Sequence, residues 1–338
     1  MNDIRIPESI KMFSSRLLAE AALERGIKLN HINDYQEENA FIELRFKKHR
    51  EYIQGSKSSQ TSVTADRILE NKMLTKDFLR EKGICPTEGK LFLCGDTEDI
   101  RNFCEKITYP VVVKKFNGTH GDLVFVGMKN FAEVANVLKK YFSKEKYVLI
   151  EKEFKGREFR FIATRKKVLA VTFREPANIV GDGKSSVKEL IVKKNEDPQR
   201  GLNYSKPLIT IEVDDRVRAK LKIQKIDINS IITRGEKVYL RNNSNLSTGG
   251  DSVDFTDKVH PYFKKISVKA VSAIPGLSYA GVDIMVKGDI SQKPKDFSYA
   301  VLEMNPSPGI FMHHFPYEGR PRPVAEGIID LLFPETKK

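Results

Sequence analysis

Two apolar runs late in this sequence carry acids in a pattern that few folds can use. Gly281-Val282-Asp283-Ile284-Met285-Val286 reads as a strand, and twenty residues after Asp283 comes Glu303, inside Val301-Leu302-Glu303-Met304-Asn305-Pro306-Ser307-Pro308-Gly309. Side chains alternate across a strand, so Glu303 and Asn305 leave by the same face. A single Asp inside an apolar strand is ordinarily a satisfied structural group. With Glu303 and Asn305 on a neighbouring strand and a Pro-Ser-Pro-Gly segment closing the run, the better reading is a set of hard oxygen ligands. Such a set suits a pair of magnesium ions on the phosphates of ATP.

Two earlier clusters fit that reading. In Pro110-Val111-Val112-Val113-Lys114-Lys115-Phe116-Asn117-Gly118-Thr119-His120-Gly121 an apolar strand delivers two lysines into a glycine-containing loop. Lysine at a strand end reaches phosphate as a point charge, and glycines let backbone amides approach phosphate oxygens. Alone, the cluster is equally an ordinary hairpin beside basic residues. In Val148-Leu149-Ile150-Glu151-Lys152-Glu153-Phe154-Lys155-Gly156-Arg157-Glu158, two acids seven residues apart flank Phe154. Such a segment can hold a purine edge-on, with one carboxylate or carbonyl on the amine, an apolar wall on the ring and a second carboxylate on the ribose. Its alternative is a charged hairpin with solvated ends.

Composition narrows the class. With 338 residues, 40% of them hydrophobic, the chain can bury two or three sub-domain cores. The longest mostly apolar stretch, residues 271–286, is interrupted by Pro275, two glycines and Asp283 and cannot span a bilayer. Met1-Asn2-Asp3 does not open a signal peptide. A cytoplasmic protein with no membrane attachment is expected, and the free thiols of Cys85, Cys94 and Cys104, which lack metal-ligand spacing, suit a reducing compartment. The net charge of +13 is spread along the chain without aromatic interleaving. It is read mainly as solvated surface, and nucleic acid is not an expected partner.

The spacing of Ile10, Phe13, Leu17, Leu18, Ala21 and Leu23 predicts a helix over 8–24, ended by Gly26. Strands are predicted at 28–32, 40–46 and 51–54. A Ser/Lys/Gly loop at 55–61 then leads to a helix over 64–81, with a domain boundary near 62. Residues 91–167 alternate strands (111–115, 123–127, 147–151, 159–163) with helices. Beyond them lie strands at 168–173, 238–240, 281–286 and 300–303 and helices at 187–195, 257–273 and 323–332.

Taken in order, Lys72, Lys114, the 118–121 loop, Glu151 to Glu158, Asp283, Glu303 and Asn305 resemble the ATP-grasp superfamily. Residues 178–184, 197–201, 239–250 and 319–324 are similar to segments of cyanophycin synthetase and of the ATP-grasp half of bifunctional glutathione synthase. Residues 21–27 and 70–72 look like the glutathione-type module, so the resemblance covers almost the whole sequence. It implies an α+β ATP-grasp fold over 63–338, with 91–167 as the smaller ATP-clamping sub-domain, preceded by a small α/β unit at 1–62. It also implies Lys72, Lys114, Gly118 and Gly121 on ATP phosphates, Glu151 and Phe154 along the adenine, Glu158 on the ribose, and Lys152 among the ATP-binding residues. Asp283, Glu303 and Asn305 would hold two magnesium ions, with manganese as a substitute. Arg174 and Arg241 are catalytic candidates at the acyl-phosphate end, and Arg200, Ser307 and Gly309 are substrate candidates, since a guanidinium fork suits planar oxyanions. Arg200 and Arg241 are equally candidates for structural ion pairs. His120, His313 and His314 are open between proton transfer and packing.

The sequence also departs from the pattern. Lys115 stands where a proline usually follows the strand lysine, and Asp122-Leu123 follow the loop where relatives often carry more glycine. Residues 181–185 look like the end of a P-loop, but Asn178 occupies the place of its first glycine. Neither the extra domains of cyanophycin synthetase nor a γ-glutamylcysteine-forming half falls within the sequence.

The favoured expectation is therefore a stand-alone ATP- and magnesium-dependent carboxylate–amine ligase. It would form an amide bond through an acyl phosphate, on an amino acid or short peptide, as a homo-oligomer. The second is glutathione-synthetase-like addition of glycine to γ-glutamylcysteine. The third, a non-catalytic ATP-binding or nucleic-acid-binding scaffold, is disfavoured by the complete Asp283, Glu303, Asn305 set.

Overall fold

The computed structural model describes residues 10, 12–32, 41–116, 123–202 and 206–337. Helix α1 (Phe13–Leu23) is followed by Gly26 at φ +72°, the left-handed position that ends the turn as predicted. The helix start predicted at residue 8 lies outside the described residues. Strands β1 (Lys28–Ile32), β2 (Phe41–Phe46), β3 (His49–Gln54) and β4 (Lys57–Ser58) pair in that order as an antiparallel meander, and β4 falls within the stretch read as loop. This unit does not close on itself. Leu17, Leu18 and Ala22 of α1 share a core with Ile328, Ile329 and Leu332 near the other end of the chain, and Arg25 lies 2.6 Å from Asp330 across that contact.

The single helix predicted over 64–81 is two helices, α2 (Val63–Glu70) and α3 (Lys72–Glu81). Asn71 breaks them apart in extended conformation (φ −93°, ψ 98°), and its side chain accepts from the N–H groups of Met73 and Leu74 at 3.1 and 2.9 Å. This is an N-cap buried inside a continuous periodic run, since Ile68 and Leu69 before it and Leu79 after it pack on the same core. The break sets Lys72 at the first position of a helix. Asn71→Ala is expected to cost about 1 kcal/mol, read as a lower urea midpoint with unchanged slope.

The next lobe contains β5 (Gly89–Leu93), α4 (Thr97–Ile107), β6 (Val111–Lys115), β7 (Val124–Met128), α5 (Phe131–Tyr141) and β8 (Tyr147–Lys152). Its antiparallel sheet has the order β5-β8-β6-β7. Val111, Val113, Val148 and Ile150 pack against Ile100, Cys104, Val134 and Leu138 of the two helices. Strand alternation sends Val112, Lys114, Leu149 and Glu151 to the other face.

The remaining elements are β9 (Arg157–Thr164), β10 (Val168–Glu175), β11 (Asn178–Val180), α6 (Val187–Asn195), β12 (Arg200–Gly201), β13 (Leu208–Ile209), α7 (Asp215–Ile223), β14 (Lys237–Tyr239), β15 (Asp251–Asp254), α8 (Pro261–Ala273), β16 (Tyr279–Val286), β17 (Tyr299–Asn305), α9 (Phe311–His314) and α10 (Val324–Leu332). Strands β15-β10-β9-β16-β17, in that order, form a five-stranded antiparallel sheet. One of its faces, with Phe159, Phe161, Val171, Val282 and Ile284, packs on Phe263, Ala270 and Val271 of α8. Helix α8 starts at Pro261 instead of 257, because a residue before proline is disfavoured in α conformation and His260 caps the turn. The segment between β10 and β15 has its own small core of Ile179, Leu190, Val217, Leu221 and Val238. Helix α7 and strand β15 carry no expectation from the sequence reading. The α+β architecture is as predicted. Among the described residues, no helix is long and apolar enough to cross a membrane.

Candidate active site

The face of the five-stranded sheet away from α8 is where the sequence places its acids. Glu158 and Arg160 on β9, Arg174 on β10, Asp283 on β16, and Glu303 and Asn305 on β17 all leave by that side. In register, Asp283 stands between Arg160 on one neighbour and Glu303 on the other, and Gly281 stands opposite Asn305. A side chain at Gly281 would put its Cβ 3.0 Å from Arg160 Cδ and 2.9 Å from Pro308, so the glycine leaves room for the guanidinium.

Asp283 is fully buried. Arg160 grips both of its oxygens, through Nε on Oδ1 and Nη2 on Oδ2 at 2.8 Å, and Arg174 Nη2 adds a contact to Oδ2 at 2.8 Å. Burial alone would raise this carboxyl's pKa. The two guanidiniums more than reverse that and hold it below the ordinary aspartate value. Arg174 also pairs with Glu158, whose other oxygen accepts from the Ser244 hydroxyl.

A second group faces this sheet from the clamp lobe. Lys114 Nζ is 2.9 Å from Glu151 Oε2, and Lys76 Nζ is 2.9 Å from Glu151 Oε1. Burial pushes the Glu151 carboxyl up, but Lys114 and Lys76 outweigh it and hold it low. Lys72 donates to the Phe116 carbonyl at 3.3 Å. Burial depresses its ammonium, Glu303 acts in the opposite sense, and Lys114 depresses it further. A narrow cleft between α3 and β17, with Lys72, Lys76, Leu302 and Glu303 on its walls, joins the two groups.

The structure thus brings together Glu158, Arg174, Asp283, Glu303 and Asn305 on one side and Lys72, Lys114 and Glu151 on the other. Gly118, Gly121 and His120 lie outside the described residues. Lys152 turns its ammonium to the end of α4, 2.5 Å from the Ile107 carbonyl. The Glu151 carboxylate is taken up by two lysines instead of standing free for a purine amine. Phe154 lies under the Lys287 ammonium at 4.6 Å. Ser307 Oγ accepts from the Ser56 N–H at 3.3 Å, and a Cβ at Gly309 would come within 3.0 Å of the Phe311 ring.

Arg200 and Arg241 each sit in an ion pair. Arg200 is wholly buried, paired with Asp251 and donating to the Ile209 carbonyl at 2.6 Å. Lys194 reaches Asp251 at 2.6 Å, and the Tyr317 ring covers both cations. Arg241 Nη1 donates to both oxygens of Asp214, the N-cap of α7, at 2.8 and 2.9 Å. The histidines pack. His313, buried against the Thr172 hydroxyl at 2.7 Å, is pushed down to about 3 by burial and by Arg160, and His314 accepts from the Ala325 N–H at 3.0 Å.

Sequence reasoning missed Arg160, Lys76, Thr87 and Ser244. Arg160 lies two residues after Glu158 on a strand and Lys76 one helical turn after Lys72, so the periodicities that placed their neighbours also point to them. Thr87 and Ser244 sit in irregular segments and carry no such signal.

Among the described residues, no group of three or more His, Cys, Asp or Glu side chains could hold a metal. The candidate set is two carboxylates and an amide. Asn305 Nδ2 lies 3.4 Å from Glu303 Oε1, so the two side chains meet, and their hard oxygens fit magnesium. Asp283 fits only when one of its guanidinium partners turns aside.

Two α+β lobes, one presenting lysines from a strand and a helix start, the other a sheet face lined by carboxylates and guanidiniums, define the ATP-grasp fold. Residues 69–183 match the family described as RimK-like ATP-grasp domain. The glutathione biosynthesis bifunctional protein GshAB of Clostridium perfringens is 39% identical over 324 residues, 95% of this chain and 41% of that protein. Its counterpart in Enterococcus faecalis is 33% identical over 327 residues, 96% of this chain and 43% of that protein. The crystal structure of a bifunctional glutathione synthetase from Pasteurella multocida matches with a TM-score of 0.74 and 33% identity, covering 97% of this chain and 44% of that one. Of the two resemblances drawn from sequence, the glutathione one is supported by these relatives. The chain spans about two-fifths of the length of the curated relatives it matches.

Proposed function

We propose that this chain is an ATP- and magnesium-dependent ligase that joins the carboxylate of an amino acid or short peptide to an amine. The observation that carries the reading is the single sheet face bearing Arg160, Arg174, Asp283, Glu303 and Asn305, with Lys72 facing Glu303 across a narrow cleft and Lys114 paired with Glu151 in the clamp lobe. No protein nucleophile is needed. The substrate carboxylate attacks the γ-phosphate in line and forms an acyl phosphate, and the amine then displaces phosphate through a tetrahedral intermediate. Lys72 and Lys114 bind phosphate oxygens as point charges. Asp283, Glu303 and Asn305 would hold magnesium, which when bound neutralises charge across the phosphates. Among the described residues Arg174 Nε, Arg200 Nε and Arg241 Nε are buried without a hydrogen-bond partner, and of these Arg174 is on the sheet face that bears the acids, where a guanidinium can meet an oxyanion. Closing the two lobes keeps water from the acyl phosphate.

The names of the relatives make γ-glutamylcysteine with glycine the first pair to supply. Phosphate release from ATP with magnesium, with amino acids and short peptides tested singly and in pairs, is expected only when both a carboxylate and an amine are present. Mass spectrometry should then show a product lighter by one water than their sum. Phosphate release indifferent to every pair contradicts the ligase. A cytoplasmic homo-oligomer belongs to the same reading, in keeping with the free thiols of Cys85, Cys94 and Cys104.

A further inference from the structure

Lys76 is a charged side chain, 2% exposed, on a helix whose other buried residues are Thr75 and Leu79, and the sequence reading gave it no role. Its ammonium is fully engaged by two other segments. It donates to the Thr87 carbonyl at 2.7 Å and to the Thr87 hydroxyl, and it sits 2.9 Å from Glu151 Oε1 on β8. Thr87 in turn donates its hydroxyl to Glu151 Oε2 at 3.1 Å. The segment around Thr87 is stitched to β17: the Val301 N–H donates to the Cys85 carbonyl at 2.9 Å and the Thr87 N–H to the Val301 carbonyl at 3.2 Å. Helix α3, the clamp sheet and the edge of the five-stranded sheet therefore meet at this one ammonium. The space for the carboxylate is also built in. Gly89 stands opposite Glu151 in register, and a Cβ there would come within 2.7 Å of Glu151 Cγ.

Glu151 is shared between two lysines with different surroundings. The Lys114 side chain keeps some exposure, while that of Lys76, at the base of the narrow cleft between α3 and β17, is almost wholly buried. When Lys114 turns to a phosphate, Glu151 would be a buried, uncompensated anion but for Lys76. We infer that Lys76 is a positioning residue for nucleotide binding: it keeps Glu151 paired while Lys114 engages phosphate, and it fixes the helix that carries Lys72 against the clamp lobe. The inference rests on the reading of Lys114 and Lys72 as phosphate ligands. The charges facing Lys76 are Glu151 on β8, Lys114 on β6 and Arg80 one turn along its own helix. Burial first, then Lys114 and Arg80 against the pull of Glu151, bring its pKa down to about 8.

The test is calorimetric binding of a non-hydrolysable ATP analogue with magnesium, without any carboxylate substrate, by wild type, Lys76→Met, Lys76→Arg and Thr87→Val. Lys76→Met is expected to weaken binding by about tenfold or more, Lys76→Arg to restore most of it, and Thr87→Val to fall between. Wild-type affinity should decline between about pH 7 and pH 9 more steeply than that of Lys76→Arg, because arginine keeps its proton throughout. Lys72 is present in both proteins, so the difference between them reports Lys76. Binding by Lys76→Met as tight as wild type overturns the inference and leaves the nucleotide site standing. Should that variant not fold, identical pH profiles for wild type and Lys76→Arg overturn it equally. A wild type that binds no nucleotide overturns both readings.

Discussion

Replacing Glu303 by alanine is expected to lower ATP-dependent turnover by roughly a hundredfold or more, since the loss of even an outer partner of a bound metal ion costs about 10- to 100-fold. Stability should stay within about 0.5 kcal/mol of wild type. Glu303 is only partly buried, and among the described residues its side chain takes only the long contact from Asn305. What is lost is a carboxylate facing the cleft opposite Lys72. Phosphate release and a urea melt on the same preparation check both halves. Unchanged turnover would remove Glu303 from the metal site.

Asp283→Ala should show the opposite signature, with stability failing first. That carboxylate satisfies Arg160 twice and Arg174 once in a fully buried setting. Deleting one partner of a buried ion pair costs about 3–5 kcal/mol, because the charge left behind has no water to turn to. Acid should narrow the deficit. Asp283 has a folded-state pKa below its unfolded value, so its contribution is fully present above the unfolded pKa of about 3.9 and is lost as pH falls through the lower folded value. Denaturation midpoints at neutral pH and in acid measure this, and a variant as stable as wild type at neutral pH would show that the guanidinium fork stabilises nothing. The pair of substitutions separates two acids that face each other in register, one locked in buried ion pairs and the other at the cleft.

The chemistry-bearing sheet face was legible because it obeys a local rule. Glu303 and Asn305 are two apart on one strand, and apolar residues flank Asp283 on another, so alternation alone aims them. The lysine of β6 was legible for the same reason, as the end of an apolar strand. What could not be read were interactions between residues far apart in sequence. Arg200 and Arg241 sit in motif-like strings, but each faces an acid that only the folded chain brings near, 51 and 27 residues away. The N-terminal meander looked separable because nothing within its own span shows that α10 completes its core. Asn71 was hidden by the periodicity on either side of it, since a cap that keeps the apolar phase leaves no mark in the pattern. The guanidiniums that hold Asp283 come from β9 and β10, more than a hundred residues earlier, and its own strand gives no sign of them.

The most direct test of the ligase follows a single oxygen. γ-Glutamylcysteine carrying 18O in its cysteinyl carboxylate, or whichever carboxylate the pairwise screen identifies, is incubated with ATP, magnesium and the amine, and the released phosphate is analysed by mass. Attack of the carboxylate on the γ-phosphate, followed by displacement by the amine, transfers one labelled oxygen to each phosphate. Phosphate that carries no label, or ATP cleaved to AMP and pyrophosphate, would contradict activation of the carboxylate as an acyl phosphate.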